Sequence, residues 1–206
     1  MKLNFFIDTH KGITFLAILG MMAWYQQWDN LTAWVYLGLH GVYGILWVMK
    51  SYLFPDPQWH RKTSLGFGLI SWGALTLYWI PAWLLISRRV EAPGWLLAVA
   101  IALNALGNFF HFTSDMQKFM SLQLRPNTLI TNRFMALSRN INYFGEFLTY
   151  LAFALLALTP LAMIPLGLFI IFFWIPNMVR KDKVLAQLPG FSEYKRKTRA
   201  FFPFLF

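Results

Sequence analysis

The sequence predicts an all-α protein: a polytopic membrane bundle of about six transmembrane helices with a basic cytoplasmic C-terminal tail. Three observations carry this. Of 206 residues, 58% are hydrophobic and only 13% are charged, against about 25% charged in soluble domains, which is too few to cover a water-facing surface. The apolar residues fall into six runs, each near the roughly 20 residues that cross about 30 Å of hydrocarbon. The positive charge, finally, lies almost wholly on one side of the map those runs draw. Cysteine is absent, so disulfides, thiolate metal sites and cysteine nucleophiles are excluded. A net charge of +10 would suggest nucleic acid in a soluble chain; here it reports topology.

The elements follow in order. Met1 to Gly12 carries Lys2, Asp8, His10 and Lys11, and no small-residue cleavage site follows the first apolar run, so Ile13 to Trp28 reads as an uncleaved first span. Only Asp29 and Asn30 separate it from the second, Leu31 to Met49, so the two form an antiparallel hairpin. The sequon Asn30-Leu31-Thr32 abuts these spans and is read as chance. Lys50 to Lys62, with Pro55 and Pro57, is a turn-rich loop. The third and fourth spans are Leu65 to Ile86 and Trp95 to Phe112. A long, polar, basic stretch, Thr113 to Asn140, leads to the fifth, Ile141 to Leu158; Thr159-Pro160 turns it into the sixth, Leu161 to Pro176. The tail alternates basic and apolar residues and is expected along the membrane surface or folded back on the bundle. All 206 residues thus read as one integral membrane domain, with four spans in 1–112 and a second half, 113–206.

On this map 16 of the 18 Lys and Arg lie with the two termini and the second and fourth loops, and only Arg88 and Arg89 lie opposite. The positive-inside rule then places both termini in the cytoplasm.

Polar residues inside the spans are the candidates for chemistry: His40, Tyr43, Tyr78, Asn104, Asn108, His111, Asn142, Tyr143 and Glu146. A carboxylate in hydrocarbon costs several kcal/mol unless paired or facing a polar cavity, which marks Glu146. The plainer alternative is that Glu146 snorkels or pairs with Arg139. His40 is either a helix-packing hydrogen bond or part of a site; it shares a face with Tyr43, as Asn104, Asn108 and His111 do with one another. His10, His40, His60 and His111 lack metal-ligand spacing, and no metal is expected. No Walker, Rossmann or Gly-x-Ser-x-Gly loop is present. A nucleotide would therefore meet basic side chains at the cytoplasmic face, Lys118, Arg125, Arg133, Arg139 and Arg180. The same charges also serve topology and anionic lipid.

Three segments resemble one family. Ser138 to Glu146, SRNINYFGE, is similar to the RHxNYxGE/D signature of the steroid 5-alpha-reductase and sterol-reductase superfamily. Asp115 to Phe119, DMQKF, resembles the family's preceding SxxQKxxF element, and the tail resembles its C-terminus, with Arg180, Tyr194 and a closing aromatic-Pro-Phe. Leu39 to Asp56 is loosely similar to short bacterial relatives, which implies a bacterial inner membrane. The resemblance implies NADPH in the C-terminal half, held by Asp115, Lys118, Arg139, Asn142, Tyr143, Glu146, Arg180 and Tyr194, and a lipidic substrate entering from the bilayer. It also implies Tyr78 as the catalytic tyrosine, with His40 in the place of the glutamate that polarises the substrate carbonyl. Asn140 departs from the signature's histidine, which leaves steroid specificity open.

The expected activity is NADPH-dependent reduction of a conjugated C=C bond in a lipid or steroid-like enone. Membrane methyltransferases using S-adenosylmethionine share part of the signature and form the alternative, although Arg180 is followed here by Lys-Asp-Lys and not by their Glu-Glu pair. A non-enzymatic scaffold or transporter subunit is the third.

Overall fold

The computed structural model describes residues 1–203 and is 77% helical, with no strand among them. Phe204, which closes the aromatic-Pro-Phe element, lies outside the described residues. Helix α1 spans Leu3–Trp24, α2 Leu31–Leu53, α3 Leu65–Ser87, α4 Gly94–Leu124, α5 Ile141–Leu156, α6 Pro160–Leu185 and α7 Phe191–Lys197. The first four and α6 are long and apolar enough to cross a membrane, and α5 is a shorter apolar helix. The chain is an all-α integral membrane protein.

Helix ends follow local chemistry. The Asn30 side chain accepts from the Ala33 amide at 3.0 Å to cap α2, and Ser64 accepts from Phe67 at 3.2 Å to cap α3. Inside α3, Pro81 has no N–H for the carbonyl one turn back, and Thr76–Trp79 tightens into a 3₁₀ turn. Inside α2, Leu37–Gly41 widens into a π turn. Such irregular turns are frequent at functional sites. His40 lies in the one and Tyr78 in the other.

Several boundaries differ from the sequence expectation. Helix α1 begins at Leu3, not Ile13, because its polar residues are partnered inside the protein: Asp8 accepts from Asn4 at 3.2 Å and Ser51 at 2.8 Å. Helix α4 runs on to Leu124, absorbing the start of the expected polar loop. Its 31 residues give about 46 Å, more than the hydrocarbon is thick. Helix α6 likewise continues to Leu185 and carries Arg180 beyond the expected end at Pro176.

The described chain divides into two compact units. One is Met1–Asn104 with Tyr150–Leu166; the other is Ala105–Thr149 with Gly167 onward. In the first, α1 buries the stripe Leu3, Ile7, Lys11, Thr14, Ile18 and Met22, one face of a 3.6-residue period. Gly44 lets α2 approach that stripe: a β-carbon there would lie 3.2 Å from the Lys11 carbonyl carbon. In the second, α4 and α5 cross where a β-carbon on Gly107 would lie 2.6 Å from the Gly145 carbonyl oxygen, so only glycine fits.

Candidate functional site

In the first unit the chemistry gathers around Tyr150. Tyr78 stacks on its ring at 3.9 Å and 13°, and His40 meets it edge-on at 6.4 Å. The two residues singled out in the sequence for catalysis are thus brought to one aromatic ring. His40 is further fixed by the Tyr36 hydroxyl, 3.1 Å from its Nδ1, and by stacking on Phe153 at 4.2 Å.

The residue that sequence reasoning missed is Lys11. It is 4% exposed, donates from Nζ to the Tyr150 hydroxyl, and lies 4.9 Å from the Tyr43 ring, 5.1 Å from Trp47 and 5.3 Å from Tyr78. An ammonium so enclosed replaces part of its hydration with ring quadrupoles. Lys50 is equally buried, over the other side chain of this group at 5.0 Å from Trp47. Both lysines stood among the loop charges in the sequence reading; the structure buries them in helices. The signal for Lys11 was its register, four residues after Ile7 and seven before Ile18 on the apolar stripe. Tyr150 carried no comparable signal, being one of several aromatics in an apolar run.

In the second unit, the glycine crossing and the contact of Thr149 with Asn108 at 3.5 Å set the register of antiparallel α4 and α5. That register puts Asp115 level with Ile141, the first residue of α5. Asp115 is buried beside His111 at 3.5 Å, and Lys118, Asn142, Tyr143 and Glu146 are half-buried. The Tyr143 ring lies 5.6 Å from Trp174.

The first part of the SRNINYFGE segment docks the tail. Arg139, 5% exposed, holds Asp182 through two bonds of 3.1 Å and donates to the Thr198 carbonyl at 2.6 Å. Lys181 returns a bond to the Arg139 carbonyl at 2.6 Å. Asn140 donates to the Ala200 carbonyl at 2.7 Å and Ser138 to that of Phe201 at 2.9 Å. The Tyr194 hydroxyl donates to the Met135 carbonyl at 2.7 Å, and burial pushes its pKa up to about 12. Arg139 and Tyr194 therefore hold α6 and α7 against the start of α5, while Arg180 stands exposed on α6. Among the described residues no cluster of His, Asp and Glu suits a metal ion.

Arg180, Lys183, Arg196 and Arg199 are exposed cations on α6, α7 and the tail, and Asn142, Tyr143 and Glu146 are half-buried on α5. Arg139 fixes the tail that carries these cations. No protein-family model matches the chain, and no curated protein matches it.

Proposed function

We propose that the chain is a membrane-embedded, NADPH-dependent reductase of a conjugated carbon–carbon double bond in a lipidic enone. The single observation that carries this reading is Tyr150, buried, accepting from Lys11 and stacked on Tyr78 with His40 at its edge. A reduced nicotinamide supplies a hydride to the carbon beta to the carbonyl, and negative charge then develops on the carbonyl oxygen. A hydroxyl that accepts from an ammonium becomes a stronger donor through its own proton. In a dry pocket such a donor stabilises the developing enolate. Tyr78, Tyr43 and Trp47 exclude water around it and offer an apolar wall to a lipid chain. His40, with its ring held by Tyr36 and Phe153, orients the tyrosine edge. Cofactor binding falls to Asp115, Lys118, Asn142, Tyr143, Glu146 and Arg180, with Arg139 and Tyr194 holding the tail in place.

The proposed setting is a bacterial inner membrane with both termini cytoplasmic, supported by the one-sided distribution of Lys and Arg. The test is oxidation of NADPH by the purified, detergent-solubilised protein in the presence of a polyprenal or a steroid enone, with product analysis. Tyr150→Phe is expected to lower turnover about 100-fold, the low end of what a positioned acid contributes, while nucleotide affinity stays unchanged. Full activity in Tyr150→Phe, or methyl transfer from S-adenosylmethionine in place of NADPH oxidation, overturns the reading.

A further inference from the structure

We propose that α7 and the segment that follows it form a binding surface for an anionic diacyl phospholipid, whose phosphate meets Lys195, Arg196 and Arg199 while an acyl chain lies beside Phe202. The surface belongs wholly to the second unit, and the inference does not rest on the reductase reading.

Charge comes first. Phe191, Tyr194 and Thr198, spaced three and four residues apart, turn one face of α7 into the protein. Lys195, Arg196 and Lys197 on that helix, and Arg199 just after it, are exposed. The carboxylates close by are already engaged, Asp182 by Arg139 and Glu193 by Lys197. Among the described residues no carboxylate pairs with Lys195, Arg196 or Arg199. Three cations are thus turned toward whatever lies outside the protein, and guanidinium forks match the oxygens of a phosphate.

Rigidity comes second, because these cations are carried on a fixed backbone. The Arg199 carbonyl accepts from the Arg139 amide at 2.9 Å and from the Ser138 hydroxyl at 3.4 Å. The Lys195 carbonyl accepts from the Arg139 guanidinium at 3.4 Å, and the Thr198 hydroxyl donates to the Tyr194 carbonyl at 2.7 Å. A charge that only orients the chain during insertion needs no such frame. A ligand gains from it, since less conformational freedom is lost on binding.

Depth is the third observation and selects a lipid over a soluble anion. Beyond Arg199 the chain folds back on α5: the Phe201 ring lies 5.9 Å from that of Phe147, and the Phe202 ring 5.7 Å from Phe147 and 6.0 Å from Phe144. Phe144 and Phe147 stand in the first two turns of that apolar helix, roughly 4–9 Å along its axis. Arg199 precedes Phe201 by two residues, about 7 Å of extended chain. The basic surface therefore begins where the apolar flank of α5 ends, which is headgroup level. Phe202, 41% exposed, continues the surface on the apolar side. A soluble phosphate would engage the cations and leave Phe202 bare; a phospholipid covers both.

The experiment uses the full chain in detergent, reading lipid retention by native mass spectrometry and the amide protection of α7 by hydrogen exchange, after adding phosphatidylglycerol, phosphatidylcholine or inorganic phosphate. Phosphatidylglycerol is expected to be retained at least tenfold better than phosphatidylcholine and to raise the protection of α7. The triple variant Lys195→Gln, Arg196→Gln, Arg199→Gln is expected to abolish that preference, since each cation near an anionic headgroup contributes about fivefold. A matched variant of three exposed cations in the first unit, Lys2→Gln, Arg61→Gln, Lys62→Gln, is expected to keep it. Phe202→Ser, which leaves every charge in place, is expected to weaken phosphatidylglycerol about threefold. Equal retention of the two lipids, an unchanged preference in the α7 variant, or an equal loss in the matched variant overturns the site. Inorganic phosphate protecting α7 as well as phosphatidylglycerol does, or full retention in Phe202→Ser, overturns the assignment to a lipid.

Discussion

A charge inside an apolar helix register survives only if the protein supplies what water no longer does. Lys11 meets that condition with the Tyr150 hydroxyl and a ring of aromatic side chains. Replacing a buried charge by an apolar residue of similar length is often neutral or stabilising. Lys11→Met is therefore expected to leave the thermal midpoint unchanged or raise it, while turnover falls at least tenfold for want of a polarised tyrosine. A midpoint that collapses with turnover would instead make Lys11 structural. Glu146 poses the same question from the other side, since it is half-buried one turn beyond Asn142 on α5. As a snorkelling charge, Glu146→Gln costs roughly 0–1 kcal/mol. As a cofactor partner it is expected to cost at least tenfold in nucleotide affinity, about 1.4 kcal/mol; titration of the correctly inserted variant with NADPH decides between them. Hydropathy made Glu146 conspicuous in the sequence because it interrupts a span. Lys11 was inconspicuous because it stood at the expected edge of one.

Helices here are placed by a few close contacts and one clamp. Gly145→Ala is expected to destabilise by at least about 1–3 kcal/mol, because the added methyl meets the Gly107 carbonyl 2.6 Å away and backbone cannot yield as a side chain does. A thermal melt of the purified variant reads this directly. The clamp is Arg139 with Asp182 and the carbonyl of Thr198; Asp182→Asn strands a buried guanidinium, at a cost of about 3–5 kcal/mol. Tyr194 adds a pH dependence. Its pKa is raised from 10.0 to about 12, chiefly by burial. A group raised on folding contributes stability that is complete below its unfolded pKa and is lost as pH climbs through the folded value. The protection of α7 amides, measured relative to their base-catalysed intrinsic exchange, is thus expected to fall between about pH 10 and 12, and Tyr194→Phe to abolish that step. The motif that carried the family resemblance was legible as a string. That its Ser138-Arg139-Asn140 half is spent on tail docking was not, because the partners lie some forty to sixty residues further along the chain.

At the scale of the whole molecule, fold class was legible because it rests on composition and run length, which depend on no partner. Span ends were less so, since a hydropathy run stops at the first charge and a helix stops only where its backbone loses partners; α1, α4 and α6 all outrun their apolar cores. That difference bears on topology. Five helices are long enough to cross, but α5, with 16 residues, is about 24 Å long and falls short of the hydrocarbon thickness. If α5 crosses, the bilayer thins locally or flanking residues snorkel, at a fraction of a kcal/mol per Å, and the termini share a side. If it does not, they part. The charge distribution argues for crossing: with Lys11, Lys50 and Arg139 buried, thirteen Lys and Arg remain against Arg88 and Arg89. A five-span arrangement would send the tail cations Arg180, Lys181, Lys183, Lys195, Arg196, Lys197 and Arg199 to the side opposite the remaining basic loops, against the positive-inside bias. Reporter fusions at Met1, after Arg89 and at the C-terminus are therefore expected to show the two ends in the cytoplasm and the Arg88-Arg89 loop outside. Termini on opposite sides would remove α5 from the spanning set.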